Sequence, residues 1–180
     1  MIRILFFLES LQGGGKERRS VELIRFLRQQ SPDYQIEIVL TEDEIFYKDI
    51  LQTGVNIRIL KRKGFKYDPA LFLKFYNVCR KFKPDIIHSW GKMTTFYAIP
   101  SKMLCRVPLV SSLIADSTRR YDNLSPYNFL LKTNVRFSDI VLSNSRAGLR
   151  AYRIRDGKAR VIYNGADLSR FGIQVDTEEV

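Results

Sequence analysis

Two cysteines and one histidine are all that 180 residues contain. A disulfide framework or a zinc site needs more thiols and imidazoles than that. A Ser-His-Asp triad or a multi-histidine metal centre would have to be built around His88 alone. Cys79 and Cys105 each fall in a segment that reads as a helix with apolar neighbours, where a free cysteine behaves as a small buried hydrophobe. Long apolar runs are missing as well. None approaches the roughly 18 residues that crossing a bilayer needs. The apolar start Met1–Leu8 runs into Glu9, a glycine run and Lys16, without the small-residue cleavage site of a signal peptide. The expectation is a cytoplasmic chain, soluble or peripheral on the inner face of the membrane. Negative charge is scarce: 19 Asp and Glu against 30 Lys and Arg leave a net charge of +11. A surface of that sign favours polyanions, whether nucleic acid, an anionic membrane face or phosphorylated substrates. No nucleic-acid recognition motif accompanies it, which leaves charge alone behind that reading.

What the sequence does hold is a core. Hydrophobic residues make up 45% of it, with 12 Phe and 9 Tyr, which excludes disorder. A chain of this length suits one domain that buries roughly 70% of its unfolded surface. Ile2–Leu8 is a nearly continuous apolar run, as a strand buried on both faces reads. After three glycines, Ser20, Leu23, Ile24 and Leu27 share one helical face until Ser31-Pro32-Asp33 breaks the pattern. Strands are then predicted at 35–40, 55–59, 85–88, 109–114, 139–143 and 160–163. Helices are predicted at 44–52 (closed by Gly54), from Asp68-Pro69 to Phe82, at 94–104 with a bend or break at Pro100, at 126–137 and at 146–152. Strands and helices alternate almost throughout. The fold class is therefore α/β, a Rossmann-like three-layer αβα domain around a mostly parallel sheet of about seven strands. Ligands in such sheets sit at the carboxyl ends of the strands. That edge is made here by 9–16, 88–92, 115–120, 144–146 and 164–167.

Four features on or near that edge bear on chemistry. Gly13-Gly14-Gly15-Lys16 joins the first strand to the first helix, where glycines admit close backbone approach and the helix offers unpaired N–H groups to an anion. It is not a phosphate-binding Walker loop, because Ser10 stands where that pattern needs glycine and Glu17 where it needs Ser or Thr. Nor does a third glycine complete a dinucleotide fingerprint. Against contact with a ligand stands the plain reading of a flexible turn. His88 ends a buried strand and reads first as a satisfied wall histidine. Asp116, Arg119 and Arg120 could hold a sugar hydroxyl and a phosphate, or form a solvated charged loop. Lys61, Arg62, Lys63, Phe65, Lys66 and Tyr67 interleave cations with rings, which suits a membrane interface or nucleic acid as well as a plain loop.

The order of motifs resembles the N-terminal domain of the family-four retaining glycosyltransferases with a GT-B fold. Four stretches from Ile2 to Phe171 carry it: GGGKERRSVELIRFL after the first strand, Lys83-Pro84-Asp85-Ile86-Ile87-His88, DIVLSNSRAGLR from Asp139, and RVIYNGADLSRF from Arg160. The resemblance implies transfer of a sugar from a nucleotide-sugar donor to a saccharide or lipid-linked acceptor, as in bacterial polysaccharide or cell-envelope synthesis, without metal or cofactor. It implies that residues 1–171 are the acceptor-side domain and 172–180 the start of an interdomain linker. The partner would be a C-terminal donor domain with a pair of glutamates seven residues apart, and the chain would be inactive alone. By the same resemblance Gly13, Gly14, Gly15 and Lys16 face the donor phosphates. His88, Asp116, Arg119, Arg120, Asn144, Ser145 and Arg146 line the acceptor side, and Asn164 and Gly165 lie at the hinge of the cleft. Ile114 stands where many members carry a histidine. The reading kept beside this one is a stand-alone binding module for an anionic ligand.

Overall fold

The computed structural model describes residues 1–62, 68–112, 126–151, 154 and 157–165. Seven strands form one sheet in the order β3-β2-β1-β4-β5-β6-β7, with every neighbouring pair parallel. They are β1 (Ile2–Leu8), β2 (Tyr34–Leu40), β3 (Asn56–Ile59), β4 (Ile86–Trp90), β5 (Leu109–Ser112), β6 (Ile140–Ser143) and β7 (Ala159–Val161). Helices α1 (Gly15–Gln30), α2 (Ala70–Phe82), α3 (Lys92–Cys105), α4 (Pro126–Phe137) and α5 (Arg146–Ala151) connect them. The chain winds outward in one direction through β1, β2 and β3, then crosses back and winds the other way from β4. The strand order therefore reverses between β1 and β4, and a crevice opens at such a switch point.

Alternation along the strands sorts the core into two layers. Leu5 and Phe7 of β1 pack with Leu71, Phe75 and Val78 of α2 and Tyr97 and Ala98 of α3. Ile4, Phe6 and Leu8 point to the other face and pack with Val21 and Ile24 of α1 and with Trp90. Phe7 and Phe75 stack with ring centroids 4.0 Å apart, an arrangement that adds about 1 kcal/mol to their burial.

The predicted elements need four corrections. Residues 44–47 are not helical. Ile45 bridges Leu11, so only Lys48–Thr53 coils, as a 3₁₀ turn closed by Gly54 in the left-handed region (φ 67°). Helix α3 runs unbroken through Pro100. Strand β4 continues two residues past His88, because Ser89 and Trp90 pair with Phe7 and Leu8 of β1 and with Ser111 and Ser112 of β5. Strand β7 starts at Ala159 and ends at Val161, leaving Ile162 and Tyr163 exposed. The Asp68-Pro69 signal acts as expected: the Asp68 carboxylate accepts the Ala70 N–H at 2.9 Å as α2 begins. The expected linker start at 172–180 lies outside the described residues.

Candidate functional site

Two loops meet at the switch point. The first follows β1. Its glycines are pinned by backbone bonds between Leu11 and the 44–46 segment, Leu11 N–H to Glu44 and Phe46 N–H to Leu11. The Tyr47 hydroxyl donates to the Gly14 carbonyl at 3.4 Å. Gly14 is the N-cap of α1, and the buried Glu17 carboxylate folds back against it, where a Cβ on Gly14 would collide with Glu17 Oε2. The second loop follows β4. Gly91 caps α3 at φ 132° and ψ 163°, a conformation essentially reserved for glycine. A Cβ on Gly91 would lie 3.7 Å from Lys16 Nζ and 4.0 Å from the Glu9 carboxyl carbon, so the two loops touch here.

Charge at this meeting point is internally matched. Lys16 Nζ donates to Glu9 at 3.1 Å and lies 3.4 Å from Glu17. Burial alone would pull the lysine pKa down; Glu9 and Glu17 together outweigh it and hold it above the ordinary range. Arg62, read from sequence as part of a basic loop, turns inward. It donates to Thr41 Oγ1 at 3.0 Å and lies 3.5 Å from Glu42 and 3.9 Å from Glu9. Lys61 pairs with Asp43 at 3.1 Å. Residues 63–67 lie outside the described residues. Lys16 is therefore already paired with two carboxylates of the same loop and helix start.

His88 is 7% exposed on the α1 face of β4, between Phe6 and Trp90 (ring centroids 5.2 and 4.9 Å). Its Nε2 shares a hydrogen bond with Ser112 Oγ at 2.9 Å. Burial pushes its pKa down to about 3, so the ring is neutral near pH 7. It shapes the wall and carries no charge to a ligand. Ser145 caps α5: its hydroxyl accepts the Gly148 N–H at 3.0 Å. Asn144 beside it is half-buried and Arg146 is exposed. Asn164 and Gly165 are exposed beyond β7. Asp116, Arg119, Arg120 and Ile114 lie outside the described residues.

Sequence reading singled out neither Glu17 nor Trp90 nor Gly91, although the last two fall within the 88–92 stretch placed on the ligand edge. Glu17 had a signal, an acidic residue three places after a helix-opening glycine. Gly91 had one too, a lone glycine between an apolar strand and a helix. Trp90 had none. Its indole N–H is buried without a hydrogen-bond partner among the described residues, and the Arg19 guanidinium lies 5.8 Å from its ring centroid.

The family model described as Glycosyltransferase Family 4 matches residues 13–170, from the glycine loop to beyond the last strand. The chain belongs to glycosyltransferase family 4. Its topology is that of one half of a GT-B fold. HepE from Anabaena, solved with UDP-glucose, superposes with a TM-score of 0.70 at 23% identity, over 94% of this chain and 45% of that one. The lipopolysaccharide outer core galactosyltransferase WaaB, in its apo form, gives 0.67 at 16% identity over 93% and 47%. MnaA from S. aureus, solved with UDP, gives 0.67 at 16% over 89% and 44%. At these identities the likeness shows the fold. The family-four chain spans about half the length of each of these structures. No curated protein sequence matches it.

Proposed function

We propose that this family-four chain is the acceptor-binding half of a retaining glycosyltransferase. The sugar comes from a nucleotide-sugar donor held mainly by a second domain, and the acceptor is a saccharide or lipid-linked saccharide of the cell envelope, met at the inner membrane face. The observation that carries this reading is the α1 N-terminus, with its glycine loop, pressed against the β4–α3 turn where the strand order reverses. Physical chemistry supports the roles. Helix N–H groups favour the donor diphosphate, and a neutral His88 wall beside Trp90 suits the apolar face of a sugar ring. Metal and cofactor have no part in the proposed transfer.

The test is an assay of the 180-residue chain with radiolabelled UDP-glucose and GDP-mannose against lipid-linked saccharide acceptors. The chain alone is expected to transfer no sugar and to hydrolyse no donor. Sustained turnover by it would overturn the half-enzyme reading.

A further inference from the structure

Arg19 differs from the other cations near the crevice. Lys16 and Arg62 are matched by carboxylates there. Arg19, one turn further along α1, makes no ion pair and no hydrogen bond among the described residues. It is half-buried. Burial lowers its pKa from the ordinary arginine value, and the Glu22 charge works against that shift without cancelling it. Glu22 itself accepts a hydrogen bond from Arg18 at 2.7 Å. The Arg19 guanidinium lies over the Trp90 ring, 5.8 Å from its centroid. Trp90 is 3% exposed, and its indole N–H has no partner among the described residues. The donors of a guanidinium and of an indole are thus gathered at one place beside the switch point, with no acceptor on them among the described residues.

Stacking on Trp90 accounts for where the guanidinium plane lies. It leaves the N–H edge uncommitted, and a partly desolvated arginine ordinarily meets a carboxylate or a phosphate with that edge. Nor does packing account for the indole, since a buried N–H without a partner costs stability until an acceptor reaches it. Both groups lack the same thing, an oxyanion. The neighbours decide how much charge it carries. His88, its ring centroid 4.9 Å from that of Trp90, is neutral near pH 7. Lys16 and Arg62 are already paired. Among the described residues around Trp90, Arg19 therefore brings the unmatched positive charge, and it is a single one. A carboxylate matches it, and its two oxygens fit the guanidinium edge bidentately. A phosphate monoester would bring further negative charge with no counterpart.

We propose that Arg19, together with the Trp90 indole N–H, reads a carboxylate on the acceptor sugar, so that the acceptor is an acidic saccharide ending in a uronic acid. The proposal rests on the acceptor-binding reading above and names its substrate class. Arg19, the half-exposed member of the pair, meets the carboxylate first. It is a specificity residue and not a catalytic one: it selects the acceptor and leaves the transferred sugar and the diphosphate to other groups. A neutral sugar gives it nothing to pair with.

The test follows Trp90, the single tryptophan, whose indole N–H gives one peak in the nitrogen–proton correlation spectrum of the 180-residue chain. The probes are methyl glucuronide, methyl glucoside and glucose 6-phosphate at constant ionic strength. Each is taken to about 100 mM, where a site of millimolar affinity is filled. The glucuronide is expected to move the indole peak saturably, the phosphate to bind more weakly, and the glucoside to leave the peak in place. Arg19→Gln should weaken glucuronide binding roughly tenfold or more, the loss expected when a charged hydrogen-bond partner is removed. Arg19→Lys, which keeps the charge and loses the planar edge, should fall between. Arg25→Gln, which removes a charge further along the same helix, should bind as the parent does. The backbone amide peaks report whether each variant keeps its fold. An indole peak that ignores the glucuronide, or that moves as far in Arg19→Gln as in the parent, would overturn the proposal. So would an equal response to the glucoside. Tighter binding of glucose 6-phosphate would make this a phosphate site and overturn the carboxylate assignment. The half-enzyme reading stands through all of these outcomes and falls only to turnover by the chain alone.

Discussion

At the carboxyl ends of the strands Lys16 touches two carboxylates and Arg62 lies near two; at the amino ends Arg80, Lys81, Lys83 and Arg106 touch none among the described residues. The two ends also turn their helices differently. The β4–α3 turn at the crevice uses glycine at φ 132°, whereas the turns leaving α2 and α3 hold Lys83 and Arg106 at φ 52° and 54°. Where backbone must approach backbone, a side chain has been excluded. Where a side chain could have been dispensed with, a charged one has been kept. Among the described residues, the cations of the crevice loops are matched by carboxylates, and those at the ends of α2 and α3 are not.

The largest test of this contrast is acid. His88, near the crevice, is held neutral by burial, with its pKa pushed from 6.5 down to about 3. The unfolded chain therefore binds a proton that the folded chain refuses. Stability is full above pH 6.5 and falls by about 1.4 kcal/mol per pH unit below it, until the folded group titrates. Asp85 and Asp139, at the other end, have lowered pKa values. For Asp85 the Arg3 N–H is the leading cause; for Asp139 burial acts upward and the Lys102 and Leu109 bonds outweigh it. Their stabilisation is present above the ordinary carboxylate range and is lost only as pH falls through the folded values. Urea midpoints measured from pH 7 to pH 4 should decline in the parent. In His88→Gln, which keeps a partner for Ser112, they should stay nearly flat to about pH 5. A parent profile flat over that range would mean that His88 is not sealed from water.

The second test bears on the crevice turn. Gly91→Ala forces an L-residue to φ 132° and brings a Cβ within 3.4 Å of Thr94 Oγ1. A cost of about 2 kcal/mol is expected for such a conformation, read as a lower urea midpoint. A neutral result would show that the β4–α3 turn can relax away from Lys16 and Glu9, and that the crevice is not held by this contact.

Much of the fold was legible because its signals are local. The apolar run of β1 and the Asp68-Pro69 start of α2 each sit within a few residues of one another, and their positions agree with the structure. The short helix expected at 44–52 fails at its start for a reason no window contains: Ile45 bridges Leu11, 34 residues earlier in the chain. Charge matching was illegible for the same reason. Glu9 and Arg62 face each other only once β1 and the segment after β3 come together. The Pro-Asp-Ile-Ile-His stretch was read as one motif, yet its parts work at opposite ends. Asp85 braces the start of β1, 82 residues away, while His88 walls the crevice. Asn144, Ser145 and Arg146 were grouped in the same way, and Ser145 proves to be a helix cap.

The smallest effect expected is also the most telling about the far end. Lys83→Gly should stabilise the fold. A non-glycine residue in the left-handed region gives up about 1–2 kcal/mol, and glycine returns it. Glycine also adds freedom to the unfolded chain, which takes back about 0.4–1 kcal/mol. The net gain is about 0.5 kcal/mol, or a melting temperature about 1–2 °C higher. The lysine makes no ion pair among the described residues whose loss would cancel this. A glycine variant that melts lower would show that the Lys83 side chain contributes to the fold. One that melts higher would mean that the chain carries a residue its own stability does not favour, at a position where glycine is one substitution away.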